Sequence, residues 1–193
     1  MFALKAVRSC LRVLCFVCLL SVGGANAEDN REAWQALANG SAVLILRHAL
    51  APGIGDPGAF KVNDCSTQRN LNEAGREQAR AWKPLLAENG IDEARVFSSQ
   101  WCRCLETARE MDVGPVEEMM SLNSFFQGRG DGAMQTQQTI SIVNVLEAGK
   151  PVVLVSHQVN ITALADIYPT SNEGIILALP LSEKPTLLAR VAP

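Results

Sequence analysis

Ala42-Val43-Leu44-Ile45-Leu46 is five apolar residues in a row with no polar alternation, and it stops abruptly at Arg47-His48. A strand wetted on one face alternates apolar with polar, whereas an unbroken run of this length suits a strand covered on both faces, as in a parallel sheet. Val152-Val153-Leu154-Val155 repeats the pattern and ends at Ser156-His157, and Ala94-Arg95-Val96-Phe97 runs into Ser98-Ser99. Helical stretches lie between these strands. Asn72 to Glu88 carries Ala79, Trp82 and Leu85 or Leu86 on one side, with Asn89-Gly90 as its stop. Ser98-Ser99 can cap a helix from about Trp101 to Met111, which places Arg103 in its first turns, and Thr136 to Glu147 forms a helix ended by Gly149. Buried strands alternating with helices predict a three-layer α/β/α sandwich with a mainly parallel sheet.

The remaining segments fit around this frame. Asn30 caps a short helix carrying Ala33, Trp34 and Leu37, ended by Gly40. Residues 49–64 and 117–133 are loops rich in Gly or Pro, a short helix occupies Ile161 to Ala165, and Ile175 to Leu179 pairs with Thr186 to Val191 as a closing strand pair.

At the start of the chain, Lys5, Arg8 and Arg12 precede an apolar run from Val13 to Leu20 that is too short to span a bilayer. With Ala25-Asn26-Ala27 as a small-x-small site, residues 1–27 read as a secretory signal peptide and 28–193 as the mature domain, exported and most simply periplasmic, with no membrane span once the leader is removed. The full chain has 193 residues, 48% hydrophobic and 19% charged, which excludes a disordered or coiled-coil protein and fits one globular domain. Its net charge of −3 becomes −6 when the three basic residues of the leader leave, and such acidity argues against nucleic acid as a partner. Cys10, Cys15 and Cys18 leave as well, so that Cys65, Cys102 and Cys104 meet an oxidising compartment, where one disulfide and one spare thiol are expected. A zinc site is the competing use of these cysteines, but Cys102-x-Cys104 is tighter than the usual ligand pairs, so no metal is expected.

His48 and His157 are the only histidines of the chain, and both follow a strongly apolar strand. In parallel sheets ligands bind beyond the carboxyl ends of the strands, so Arg47-His48, Ser98-Ser99 leading to Arg103, and Ser156-His157 converge on one edge. Two guanidinium forks, on Arg47 and Arg103, match phosphoryl oxygens in geometry and stay charged. A cationic surround also disfavours protonated His48, and only the neutral imidazole has a lone pair for attack.

Four ordered pieces then resemble the histidine phosphatase superfamily, the phosphoglycerate-mutase-like fold. Leu46-Arg47-His48-Ala49 is similar to its opening Arg-His signature, and Arg69-Asn70-Leu71 through Gly75 to Gln78-Ala79 to its helix entry. Ser98-Ser99-Gln100-Trp101-Cys102-Arg103-Cys104-Leu105-Glu106-Thr107-Ala108 resembles Ser-Ser-x-x-x-Arg-Ala-x-x-Thr-Ala with Cys104 in the usual Ala slot, and Val153 to His157 resembles the strand that delivers a second histidine. The resemblance implies that His48 is phosphorylated by substrate and then hydrolysed, that Arg47, Arg103 and His157 bind the transferring phosphoryl group with Arg69 beside them, and that no cofactor is used.

Two departures stand out. Members with His-Asp at the late motif use that Asp as leaving-group acid, but Gln158 occupies the position, and others carry a Glu roughly where Leu122-Asn123-Ser124 stands. Glu117, Glu118 and Asp131 are the possible substitutes, and without one of them in the pocket the enzyme is expected to prefer activated leaving groups. The Arg129-Gly130-Asp131 triplet resembles an adhesion tripeptide, a match too short to carry weight. With Cys104 in a slot for a small buried residue and Cys102 in a more open one, the bridge is expected between Cys65 and Cys102, Cys65 to Cys104 being the alternative. The expected function is a phosphatase acting on a small-molecule or glycolipid phosphomonoester such as an envelope sugar or lipopolysaccharide phosphate. The alternative is a phosphate-ligand binding module of the same fold that has lost its acid.

Overall fold

The computed structural model describes residues 25–193; residues 1–24, with most of the expected leader, lie outside it. Six strands form one sheet: β1 (Ala42–Arg47), β2 (Arg95–Ser98), β3 (Val116–Glu118), β4 (Val152–Ser156), β5 (Gly174–Ala178) and β6 (Leu187–Val191). Their order is β3-β2-β4-β1-β5-β6. The pairs β3/β2, β2/β4 and β4/β1 are parallel, and β1/β5 and β5/β6 antiparallel, so β5 alone runs against the other five strands.

The unbroken apolar runs have a direct cause. In β1, Leu44 and Leu46 face a core shared with α1 (Ala25–Ala38), α3 (Trp82–Glu88) and α4 (Cys102–Met111), through Leu37, Trp82 and Met111. The alternate residues Val43 and Ile45 face a second core with α5 (Gly132–Asn144) and α6 (Gln158–Ala165), through Val143, Ile161 and Leu164. Each face needs its own apolar set, so period two disappears from the sequence. Full burial of a side chain such as Leu44 or Ile45 contributes roughly 1.5–3 kcal/mol.

Several element boundaries differ from the sequence reading. The first helix begins at Ala25 and runs through Asn30, so Asn30 does not cap it; residues 25–29 contain no breaker. The helix expected over 72–88 is two helices, α2 (Glu73–Arg80) and α3, meeting at Ala81. Pro84 explains the break, because it supplies no N–H for the carbonyl of Arg80 and its ring crowds that carbonyl. The capping role assigned to Ser98-Ser99 is also corrected: Trp101 occupies the N-cap of α4 with no side-chain cap bond, and the serine hydroxyls are used elsewhere. Residues 117–133 are not all loop. Glu117 and Glu118 belong to edge strand β3, two single-turn 3-10 helices follow at Met120–Leu122 and Phe126–Gly128, and α5 already starts at Gly132 because Asp131 caps it. The helix expected from Ile161 also starts earlier: α6 begins directly after His157, which holds its N-cap position without a side-chain cap bond.

Candidate active site

The register of the central strands sets Arg47 beside Ser156 and Ser98 beside Val155, so the carboxyl ends of β1, β4 and β2 are neighbours. His48 sits just beyond β1 and is buried. Its backbone N–H donates to the Ser156 carbonyl, and its Nδ1 lies 2.8 Å from the Ala49 carbonyl. A carbonyl only accepts, so Nδ1 carries the proton and Nε2 keeps the lone pair. The second contact agrees, since Arg103 Nε donates to His48 Nε2 at 3.2 Å. Burial, then the charge of Arg103, push the His48 pKa well below the ordinary value; Arg69 and Arg47 act in the same sense and only the Ala49 carbonyl opposes. The free site therefore holds a neutral imidazole with one tautomer fixed.

His157 is set by a relay. Ser99 Oγ donates to Asn123 Oδ1 at 3.1 Å and lies 2.9 Å from His157 Nε2, so it accepts the Nε2 proton and leaves Nδ1 facing Arg103 Nη2 at 3.4 Å. Asn123 is itself anchored, because Gln135 and Asn160 both donate to its carbonyl. Burial first, and then Arg103, push the His157 pKa well below the usual histidine value. The two rings meet edge to face, with centroids 5.5 Å apart.

Arg103, in the first turn of α4, is almost wholly buried between the histidines. Arg47 donates to the Pro169 carbonyl at 3.1 Å, while Arg69 reaches back to the carbonyls of Gly55 and Ala51. These three arginines and both histidines line one cavity of about 280 Å³, together with Ser124 and Gln158. His48, Arg47, Arg103, His157 and Arg69, separated in sequence by up to 110 positions, are thus brought together.

The acid candidates are not. Glu117 and Glu118 are exposed on β3, where Glu118 accepts from Gln100, and the Asp131 carboxylate is occupied by the Met134 N–H at the start of α5. The carboxylate that does line the cavity is Asp56, from the loop after β1. It binds both ends of the Arg103 fork, at 2.7 and 3.2 Å, and accepts from the Arg69 N–H and the Trp101 indole. Burial would raise its pKa, but the hydrogen bonds and charge of Arg103, with the two further donors, outweigh it and hold the carboxyl below the usual range. Sequence reasoning missed Asp56 because the loop has no periodicity; Gly53-Ile54-Gly55-Asp56-Pro57 reads only as a turn. It also missed a stack over His157: Trp101 meets the imidazole edge to face, Phe60 lies on Trp101 at 4.8 Å, and Arg129 sits 4.5 Å over Phe60.

Cys65 and Cys102 form a disulfide, and Cys104 is a buried thiol. Cys102 is buried as well, contrary to the more open setting expected, because the 61–70 loop is fastened over the start of α4 and Gln68 accepts the Cys102 N–H. The bond removes Cys102 as a metal ligand. Burial pushes the Cys104 thiol up to about 12, so it stays protonated beside His157 Nε2 at 3.4 Å.

Among solved structures, the protein histidine phosphatase SixA complexed with tungstate shares 22% identity over 79% of this chain and 97% of its own, with a TM-score of 0.56. Phosphoserine phosphatase from Entamoeba histolytica, with 3-phosphoglyceric acid, shares 14% over 79% and 97%, at 0.54. A mycobacterial glucosyl-3-phosphoglycerate phosphatase with inorganic phosphate shares 16% over 76% and 95%, at 0.52. At these identities the likeness establishes the fold. No curated protein matches the sequence. The family model for the histidine phosphatase superfamily, branch 1, matches residues 43–139, a stretch that holds Arg47, His48, Arg69 and Arg103. With half the chain matched and the phosphoglycerate-mutase-like sandwich built around those residues, the chain belongs to the histidine phosphatase superfamily.

Proposed function

We propose that this chain is a phosphatase that hydrolyses a phosphomonoester through a phosphohistidine on His48, with Arg47, Arg69, Arg103 and His157 binding the transferring phosphoryl group. The observation that carries the reading is the state of His48: a buried imidazole whose Nδ1 proton is committed to a carbonyl, leaving Nε2, which accepts from Arg103 in the free site, as the nucleophile of a cavity lined by Arg47, Arg69, Arg103 and Arg129. Phosphoryl transfer needs an in-line nucleophile and positive donors on the equatorial oxygens, and the arginines supply that charge without a metal ion or cofactor. The oxyanions in the complexes of SixA and of the mycobacterial phosphatase are of the class such a pocket suits.

The substrate we propose is a small-molecule or glycolipid phosphate, such as an envelope sugar or lipopolysaccharide phosphate, met in the periplasm after residues 1–27 are cleaved. The Cys65–Cys102 disulfide fits an oxidising compartment. Among the described residues no helix is long and apolar enough to cross a membrane. One observation favours the binding-module alternative, namely that Asp56 already occupies the Arg103 fork.

Turnover of p-nitrophenyl phosphate separates the two, since its leaving group needs little protonation. Wild-type hydrolysis that survives EDTA and disappears in His48→Ala is the expected result. Phosphate binding without turnover would make the chain a binding module.

A further inference from the structure

Both carboxyl positions used by relatives are vacant of acid here, yet the cavity is not without one. Its lining holds a single carboxylate among the described residues, that of Asp56. In the free site this group is the internal partner of Arg103: Nη1 and Nη2 donate to its two oxygens, while Nε is committed to His48. Every edge of the Arg103 guanidinium is thereby engaged, since Nη1 also reaches the Arg69 carbonyl and Nη2 the His157 ring. A phosphoryl group that is to be bound by Arg103 and attacked by His48 Nε2 must therefore take the place of Asp56 in the fork.

Resting on the phosphatase reading, we propose that Asp56 is a carboxylate that substrate exchanges out of the Arg103 fork and that then serves as the acid for the leaving group and the base for water. Freed from the fork, a largely buried carboxylate beside a phosphoryl dianion loses the interactions that kept it ionised and keeps the burial that opposes charge, so it takes up a proton. That proton arrives with the monoanion of the ester. As the bond from His48 Nε2 to phosphorus forms, the bond from phosphorus to the leaving oxygen breaks, and the Asp56 proton passes to that oxygen, releasing the alcohol and leaving the carboxylate. Water then attacks the phosphohistidine, one of its protons passes to Asp56, the electron pair of the nitrogen–phosphorus bond returns to Nε2, and inorganic phosphate leaves as the monoanion, taking the Asp56 proton with it as the carboxylate returns to the Arg103 fork. Proton and charge return to the starting state without another reactant.

Asp56 follows two glycines that shape the backbone of its loop. Gly53 and Gly55 hold φ values of +94° and +68°, in the left-handed region that glycine enters freely, and the segment Gly53 to Asp56 lines the cavity together with His48 and Arg103. A leaving oxygen in line with His48 Nε2 would fall in the cavity that Asp56 also lines.

Rates across phosphate esters of graded leaving-group pKa test the proposal. The wild type is expected to show a shallow dependence. In Asp56→Asn, which keeps an oxygen for Arg103, alkyl esters fall by about 10² to 10⁴ while p-nitrophenyl phosphate falls less than about tenfold. Glu117→Gln and Glu118→Gln leave the dependence unchanged. A steep wild-type dependence overturns the proposal without any variant, and so does an Asp56→Asn that loses aryl and alkyl turnover equally, which marks Asp56 as only a support for Arg103. A wild type that hydrolyses no ester at all overturns the phosphatase reading itself, a result distinct from either.

Discussion

At the scale of single residues, the site is governed by charge held out of water. His48 is neutral in the free protein because protonating it would bury a cation among three others. Replacing it with Ala is expected to abolish turnover. His157→Ala and Arg103→Ala should each lower the rate by about 10² to 10³, the loss seen when one transition-state donor is removed. They separate in stability: Arg103→Ala strands Asp56 as an unpaired buried charge and should cost about 3–5 kcal/mol in denaturant titration, whereas His157→Ala leaves no charge behind. Both histidines also make stability depend on pH. Their folded pKa values lie below the unfolded value near 6.5, so the unfolded chain binds more protons, and stability, intact above pH 6.5, falls as pH drops through it. The slope should approach about 1.4 kcal/mol per pH unit for each histidine. Asp56, Glu73 and Glu173, whose pKa values are depressed, lose their contribution as pH falls through their unfolded values of 3.8 to 4.5 and below, so melting between pH 6.5 and 5.5 isolates the histidines, and a His48→Asn, His157→Asn variant should melt nearly independently of pH there. Arg47, His48, Arg103 and His157 were legible in the sequence because each follows or closely trails a buried apolar strand. Asp56 was not, because its meaning comes from a contact 47 positions away, between a loop without period and the first turn of a helix.

At the scale of elements, the site depends on how loops and helices are fastened behind His48. Gly75 shows why the helix entry of the family pattern holds a glycine: a Cβ there would lie 2.2 Å from the Leu50 carbonyl oxygen, a backbone atom with nowhere to go. Gly75→Ala should push α2 away from the 49–51 segment and cost on the order of 1–3 kcal/mol, with a loss of activity that follows the displaced His48. The Cys65–Cys102 bond ties the loop bearing Arg69 to the helix bearing Arg103 across 37 positions. In the chain-entropy model that closure is worth about 3–4 kcal/mol, so a Cys65→Ser, Cys102→Ser variant should unfold at correspondingly lower denaturant, and equal midpoints would reject the estimate. The apolar periods located the helices and inner strands well, and erred where a local device decides: Pro84 splitting one helix, Asp131 starting another early, and β3 forming from Val116-Glu117-Glu118, an edge strand that pairs with β2 and packs only Val116 on the core.

At the scale of the whole molecule, sheet order converts three separate sequence signals into one site. Because β2, β4 and β1 are adjacent and parallel, their carboxyl ends deliver Arg103, His157 and His48 to a common edge, and the antiparallel β5 followed by β6 completes the sheet on the other side of β1. The mainly parallel sandwich was legible because both faces of each inner strand had to be apolar. The strand order was not, since nothing in a strand's composition names its neighbour. The central claim is that this edge presents His48 Nε2 as the nucleophile. Its most direct test is to mix the protein with phosphate-labelled aryl ester, quench in denaturant at alkaline pH where phosphohistidine survives, and map the label by mass spectrometry. Label on His48 in the wild type, absent in His48→Ala, is the result the account predicts; label on a serine or carboxylate, or turnover persisting in His48→Ala, would contradict it.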